Sequence, residues 1–541
     1  MKKTILLSFF ALFSVCAQVF SMNYYIRMST NTTDWSHITA DATHVIVDYT
    51  DGDNLSLLIN AYLSNDTIWI AKGTYTIDTS ISLKSDQKLY GGFNGNESSL
   101  DARAKSDLDG NGDVEPWEFT NATEIVRTST TPVANSMILA SNTIVDGITM
   151  KGINNTFTTA SAIINIYGAG TGSFLRNVTV KDCNVTSSTA TVYIINMNAG
   201  TIQNSLIQNN SLNLTASFAS FGGGLYMSGA APRAIGCVIR GNKITNTDIT
   251  KAKGGGIFVQ TGGKIINCVV YNNHADGQGG GIYINDAASE IINCTVARNH
   301  SGTTGGGVYM NAGAKLNNSI SWGNMSGTTT PVPNDIYFGG NGVFTTDYLA
   351  FGMKEKATTI ATFPALANTK LLTSGEFADN TIDGINLDFA PKFKNPSTIV
   401  GAPADISSIL QTNYKLLTGS PCIDFASNAL LNTLTITTDL MNGTRFVNTT
   451  ADLGAYEFGS VAPNAVKNIK NSNYTVCKNS QGLVLSGLSG ENNISVFGLN
   501  GALLQSKTTI ESKISLPIIQ KGVYVLKVKS ASTTETLKAI F

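Results

Sequence analysis

Charge is scarce in this chain of 541 residues: Asp, Glu, Lys and Arg make up 13% of it, against about a quarter in an ordinary soluble protein. The formal net charge is −1 and there is no basic run, which argues against nucleic acid or an anionic membrane as partner. Helix-period stretches are equally rare. Beyond the N-terminus no segment reaches the roughly 18 consecutive apolar residues of a spanning helix. What remains is rich in Gly (52 residues), Thr, Ser and Asn, the make-up of a turn-rich all-β protein.

The sequence writes GGGLYM from Gly222, GGGIFV from Gly254, GGGIYI from Gly279 and GGGVYM from Gly305, so a unit recurs after 32, 25 and 26 residues. A second mark keeps step with it, a small residue followed five positions later by Asn: Ser205/Asn210, Cys237/Asn242, Cys268/Asn273, Cys294/Asn299 and Ser319/Asn324. A period near 25 built from short β-branched runs predicts a solenoid in which each repeat is one coil. Period-2 alternation sends Ile282 and Ile284 inward and Tyr283 outward, and places Ile266, Cys268 and Val270, like Ile292, Cys294 and Val296, inside. The glycines suit corners with positive φ or close coil approach, and Asn suits a turn with an amide ladder. The extra length of the first unit reads as a surface loop, TNTDITKAK. The expected fold is all-β, a right-handed parallel β-helix followed by a small C-terminal β-sandwich. These repeats resemble the polymorphic-outer-membrane-protein type of β-helix within the pectate-lyase-like superfamily.

Residues 1–21 read as a secretory signal, with Lys2 and Lys3 before ILLSFFALFSVCA and cleavage options after Ala17 or Ser21; Val15 before Cys16 argues against a lipoprotein. Residues 22–140 read as an N-terminal cap and first coils, in which Leu55, Leu58, Ile59 and Tyr62 follow helical spacing behind Asp53 and Asn54, and IWIAKGTYTI supplies the first strand. Regular coils follow over 141–350, then last coils and a C-terminal cap over 351–458. There GSPCIDFASN and DLMNGTRFVNTTADLGAYEF resemble the terminal segment of the β-helix family, with Arg445 expected to pair with a cap carboxylate and the block to seal the column end. The cysteines of successive coils are expected to be buried free thiols.

Residues 459–541 change character to short alternating strands. Ser495–Phe497, Leu499, Asn500 and Gly501, then Lys521, Gly522, Val523 and Tyr524 with the end at Lys538, resemble the C-terminal sorting domain of type IX secretion cargo. That resemblance implies outer-membrane translocation, removal of this domain, and attachment to the surface or release.

The sharpest chemical motif is DLDGNGDVEPWE. Asp107, Asp109 and Asn111 occupy positions 1, 3 and 5 of an EF-hand loop, Gly112 position 6, Asp113 position 7 through its carbonyl, Glu115 position 9 and Glu118 position 12. Structural calcium is expected there, flanked by short helices. Catalytic signals are poorer. His274, Asp276, Arg298 and His300 form one local constellation, the two imidazoles stacked just after a turn, suited to proton transfer or a metal. Tyr226, Phe258, Tyr283 and Tyr309 form an outward aromatic row, with Tyr193 as a candidate first member, that suits stacking on the sugar rings of an extended glycan unless loops cover it. Together these features predict a secreted, surface-displayed binding or adhesive module for an extracellular polysaccharide or host glycan. The alternative is a polysaccharide lyase or glycoside hydrolase of the same fold, which would gather acids and a Lys or Arg in one groove; a structural surface-layer component is a third.

Overall fold

The computed structural model describes residues 21–540 apart from 128–133, 167–171, 216–219, 230, 341, 361–365, 374–386, 461–473, 480–481, 499–501, 518–522 and 531–533. Residues 1–20 of the expected signal segment lie outside the described residues, as do Leu499, Asn500, Gly501, Lys521 and Gly522 of the sorting-domain resemblance. Two compact units are present, Met1–Ala462 and Pro463–Phe541.

The first unit is a right-handed parallel β-helix, with sheets of 22, eight and ten strands among the described residues. Each coil lays its strands in register on the next: Ile257, Ile282, Val308 and Ile336 stack in one row, and Val259, Ile284, Met310 and Phe338 in another. All are buried in one continuous apolar column. The glycine triplets work in two ways. Gly222, Gly254, Gly279 and Gly305 have φ of 67–74°, and a Cβ on the next residue would collide with the following coil, 2.3 Å from the Gly280 carbonyl oxygen at Gly255.

Strict alternation fails where a left-handed residue interrupts the run. Ile265, Cys268 and Val270 face the column, whereas Ile266 and Val269 face out. Asn267, at φ 52°, turns the chain between two short strands and shifts the phase by one residue; Asn293, at φ 51°, does the same to Ile292. The expectation that Ile266 and Ile292 point inward is therefore corrected. Cys183, Cys237, Cys268 and Cys294 are buried free thiols, and Cys422 is buried as well.

Beside the column runs an amide ladder. Each Nδ2 donates to the next Oδ1, from Asn210 to Asn242 (2.9 Å), Asn273 (3.0 Å), Asn299 (3.0 Å) and Asn324 (2.9 Å), and from there to Asp335 (2.8 Å). Each Oδ1 also accepts a backbone N–H, and each Nδ2 reaches a main-chain carbonyl, so these buried amides satisfy the turn's backbone.

At the front, helix Leu55–Ala61 is capped by the Asn54 side chain and buries Leu55 and Ile59 in the column. Strands Asn23–Met28 and His44–Tyr49 precede the expected first strand, and Asn23–Met28 pairs in parallel with both His44–Tyr49 and Thr67–Ala71. At the back, the expectation of an end seal is corrected. Phe393, Ile409, Tyr414, Leu416, Leu440 and Leu453 pack on Leu206, Val238, Ile266, Val269, Ile292 and Trp322 of the outer sheet face. Those outward apolar side chains need a cover, and burying each contributes about 1.5–3 kcal/mol. Hydrogen bonds fix the returning chain to the coils, from Asn267 Nδ2 to the Thr438 carbonyl (2.7 Å) and from Gly454 N to the Asn318 carbonyl (2.9 Å). Arg445, fully buried there, donates to the Gly454 carbonyl and is surrounded by the charges of Glu457, Asp439 and Asp452 rather than held in a direct ion pair.

The second unit is a two-layer antiparallel sandwich. Thr475–Asn479, Gly482–Ser486 and Lys513–Pro517 form one sheet, and Leu503–Thr509, Asn492–Gly498, Val523–Lys529 and Thr534–Ile540 the other. Leu485, Ile494, Val496, Leu516 and Leu526 fill the core between them.

Candidate functional site

The acidic loop is local chemistry first. Gly110 and Gly112, at φ 77° and 86°, wrap the chain so that their N–H groups donate to the two Asp107 oxygens at 2.8 and 3.0 Å. Carboxylate oxygens of Asp107, Asp109 and Glu118 lie within 4.8 Å of one another. Glu118 is buried and accepts from Leu108 N (2.8 Å) and Glu115 N (2.9 Å). Glu115, 2% exposed, accepts from Asn111 Nδ2 with one oxygen, while its other oxygen has no hydrogen-bond partner. Burial, and then the neighbouring Glu118, push the Glu115 carboxyl up to about 9. A set of hard oxygens in which burial and crowding oppose ionisation of one carboxyl suits Ca²⁺, whose charge would offset both. The flanks are not the expected pair of helices: a short 3-10 turn, Leu100–Ala102, precedes the loop, and an antiparallel bridge between Lys105 and Phe119 ties its ends.

This insertion forms one wall of a groove on the outer sheet face. The groove, about 190 Å³, is lined by Trp117, Phe119, Glu124, Thr149, Asn177, Lys181, Gln208 and Arg240, with Leu410 of the returning segment opposite. The floor comes from coils in register, Glu124 beside Thr149 and Thr179, and Lys181 beside Gln208 and Arg240. Glu124 pairs with Lys151 (3.1 Å). Arg240 is buried and makes four polar contacts, to Gln208 Oε1 (2.7 Å), Tyr271 OH (2.8 Å), Asp109 Oδ2 (2.9 Å) and the Leu410 carbonyl (3.3 Å).

Repeat-based reading missed these residues, because the acids come from the insertion and first coils. A signal exists nonetheless. The residue just before each left-handed turn runs Lys181, Gln208, Arg240, Tyr271, Ala297, Trp322, polar along the groove and largely apolar beyond it.

The aromatic row is placed differently from the expectation. Phe258, Tyr283 and Tyr309 are buried, and successive rings stack on each other, Phe258 to Tyr283 at 5.0 Å and Tyr283 to Tyr309 at 4.6 Å. Tyr226 joins them 5.7 Å from Phe258, and Tyr193 and Tyr337 extend the stack. Phe221 covers Phe258 (4.3 Å), and Lys253, from the long-loop coil, lies over Tyr283 (5.0 Å). The ring faces are used within the protein, so this row is a stacking ladder and not a sugar platform.

His274, Asp276 and His300 do come together; Arg298 does not join them. Its φ of 55° turns the side chain onto the Trp322 ring, 4.6 Å away. The imidazoles are parallel, 5.0 Å apart, and share an Nδ1–Nδ1 contact of 2.9 Å. His274 Nε2 meets Asp276 Oδ1 (2.9 Å) and His300 Nε2 meets the Gly327 carbonyl (2.9 Å). Burial lowers the His300 pKa. Burial opposes charge on Asp276, but the hydrogen bond and charge of His274 outweigh it and hold its pKa down. All four ring nitrogens are engaged, the arrangement of a braced turn.

No protein-family model matches the chain, and no curated protein matches it. Among solved structures, the tailspike protein gp49 from Acinetobacter baumannii bacteriophage Fri1, a capsular polysaccharide depolymerase, aligns over 96% of this chain and 78% of its own at 10% identity and a TM-score of 0.18. So slight a likeness carries neither fold nor function across.

Proposed function

We propose that this chain is an exported β-helix that binds an extracellular glycan in the groove between the insertion and the returning segment, with calcium in the 107–118 loop. The open groove carries this reading. At about 190 Å³ it lies below the roughly 300 Å³ of enclosed small-molecule pockets, and it suits a stretch of polymer. Polar side chains on successive coils repeat about every 4.8 Å along the floor, against an aromatic wall at Trp117. Retention on a polysaccharide panel tests it: replacing both Lys181 and Gln208 by Ala should weaken binding about tenfold, each lost polar contact contributing about 0.5–1.5 kcal/mol. Unchanged retention would rule the groove out.

One observation favours a second reading, a polysaccharide lyase or glycosidase: Glu124, Lys181 and Arg240 share this groove with the loop acids. Release of unsaturated products or reducing ends, lost in Glu124→Gln, would decide for it.

Calcium is supported by the motif and by the buried, crowded carboxyl of Glu115. At a hundredfold excess over Kd the ion should add about 2.7 kcal/mol to the stability of the unit, so chelation should lower the melting temperature. Equal melting in calcium and in chelator would count against the site.

The C-terminal sandwich is proposed as a type IX sorting domain, on the resemblance of its strands. Deleting residues from about Asn464 onward should leave a folded β-helix in the periplasm, and the sandwich fused to an unrelated exported domain should carry it to the surface. Normal display of the truncated chain would refute the assignment.

A further inference from the structure

We infer that the 107–118 loop is a calcium clasp, which, given the calcium reading above, holds the returning C-terminal segment on the coil face and so sets the width of the groove. Position 7 of such a loop gives its carbonyl to the ion, which leaves the Asp113 carboxylate free for another partner. It takes Lys415 Nζ at 2.6 Å and Asn413 Nδ2 at 2.7 Å, and the same amide reaches the Asn111 carbonyl at 3.1 Å. The strand Asn413–Leu416 is thus seated on the loop, some 300 residues from it in the chain. On the other side Asp109 bonds Arg240, whose guanidinium also reaches the Leu410 carbonyl. The coil, the insertion and the returning segment therefore meet at the loop.

The loop's shape is what the ion would fix. Asp107, Asp109 and Glu118 converge, and Glu115, buried to 98%, keeps one carboxylate oxygen without a partner inside the loop. Ion binding gathers these oxygens and orients Asn111 and Asp113 toward Asn413 and Lys415. Because binding energies are reciprocal, loosening the seated strand should also weaken calcium binding.

The test uses the mature chain, with calorimetric calcium titration beside hydrogen exchange of peptides spanning 410–416. In the wild type, calcium should slow exchange there by about tenfold, and Glu118→Gln should abolish both binding and slowing. The Asn413→Ala/Lys415→Met double variant should still bind calcium, at most about tenfold more weakly, while the ion no longer slows exchange. Calcium binding to the wild type without any change over 410–416 would overturn the clasp and leave the calcium reading standing. No calcium binding at all would overturn both.

Discussion

Replacing Ile284 by Asp is expected to abolish recovery of folded protein. Ile284 is fully buried between Val259 and Met310 of the neighbouring coils, where a carboxylate would meet only apolar groups and strands already committed to each other. An unpaired buried charge costs several kcal/mol, a large share of the 5–15 kcal/mol that holds a typical domain together. Ile284→Val, which removes one methylene, should cost only about 0.5–1.5 kcal/mol. Alternation alone makes Tyr283→Ala harmless, but the ring is 4% exposed between Phe258 and Tyr309. Its loss should cost about 3–5 kcal/mol. Soluble yield and thermal melting rank the three; a folded Ile284→Asp protein with a near-normal melt would show the column wrongly assigned.

Asn273→Leu should be nearly as damaging while conserving volume. The amide oxygen accepts Asn242 N and Nδ2, both at 3.0 Å, and the nitrogen donates to the Ile239 carbonyl (2.9 Å) and to Asn299. Leucine strands the Asn242 main-chain N–H and the Ile239 carbonyl in the interior, at about 1–3 kcal/mol each. The denaturation midpoint should therefore fall by the equivalent of roughly 2–6 kcal/mol. A loss under about 1 kcal/mol would mean that the ladder is incidental to stability.

The coil was legible in the sequence because its determinants are local and repeated. Glycine triplets, the Ile-Tyr-Ile alternation and the Cys-to-Asn spacing recur at each turn, and the EF-hand-like motif is complete within twelve residues. Phase was lost at Asn267 and Asn293, because a left-handed residue inside an apolar run shifts alternation without altering composition. The burial of Tyr283 was illegible because its cover, Lys253, comes from a neighbouring coil. Position was likewise lost for the GSPCIDF and GAYEF blocks: they read as a terminus, but the apolar outer face of Leu206, Val238 and Ile292 draws that chain back along the coils. The groove exists only through such returns. Asp113 meets Lys415, and Arg240 meets Leu410, over separations that no periodicity encodes.

The amide ladder has a direction. Each N–H points from one coil to the next, so the side-chain dipoles add along the axis, with their positive ends toward Asp335. That carboxylate accepts from Asn324 through both main chain and side chain, and from Gly352 and Met353. An asparagine there would present a hydrogen needing yet another coil; an aspartate asks for none. At the opposite end Cys183, in the place of a ladder amide, offers Asn210 only its backbone N–H. The series thus has a chemical first letter and a full stop. A designer lengthening this solenoid would splice whole coils between Asn210 and Asn324 and leave both ends untouched.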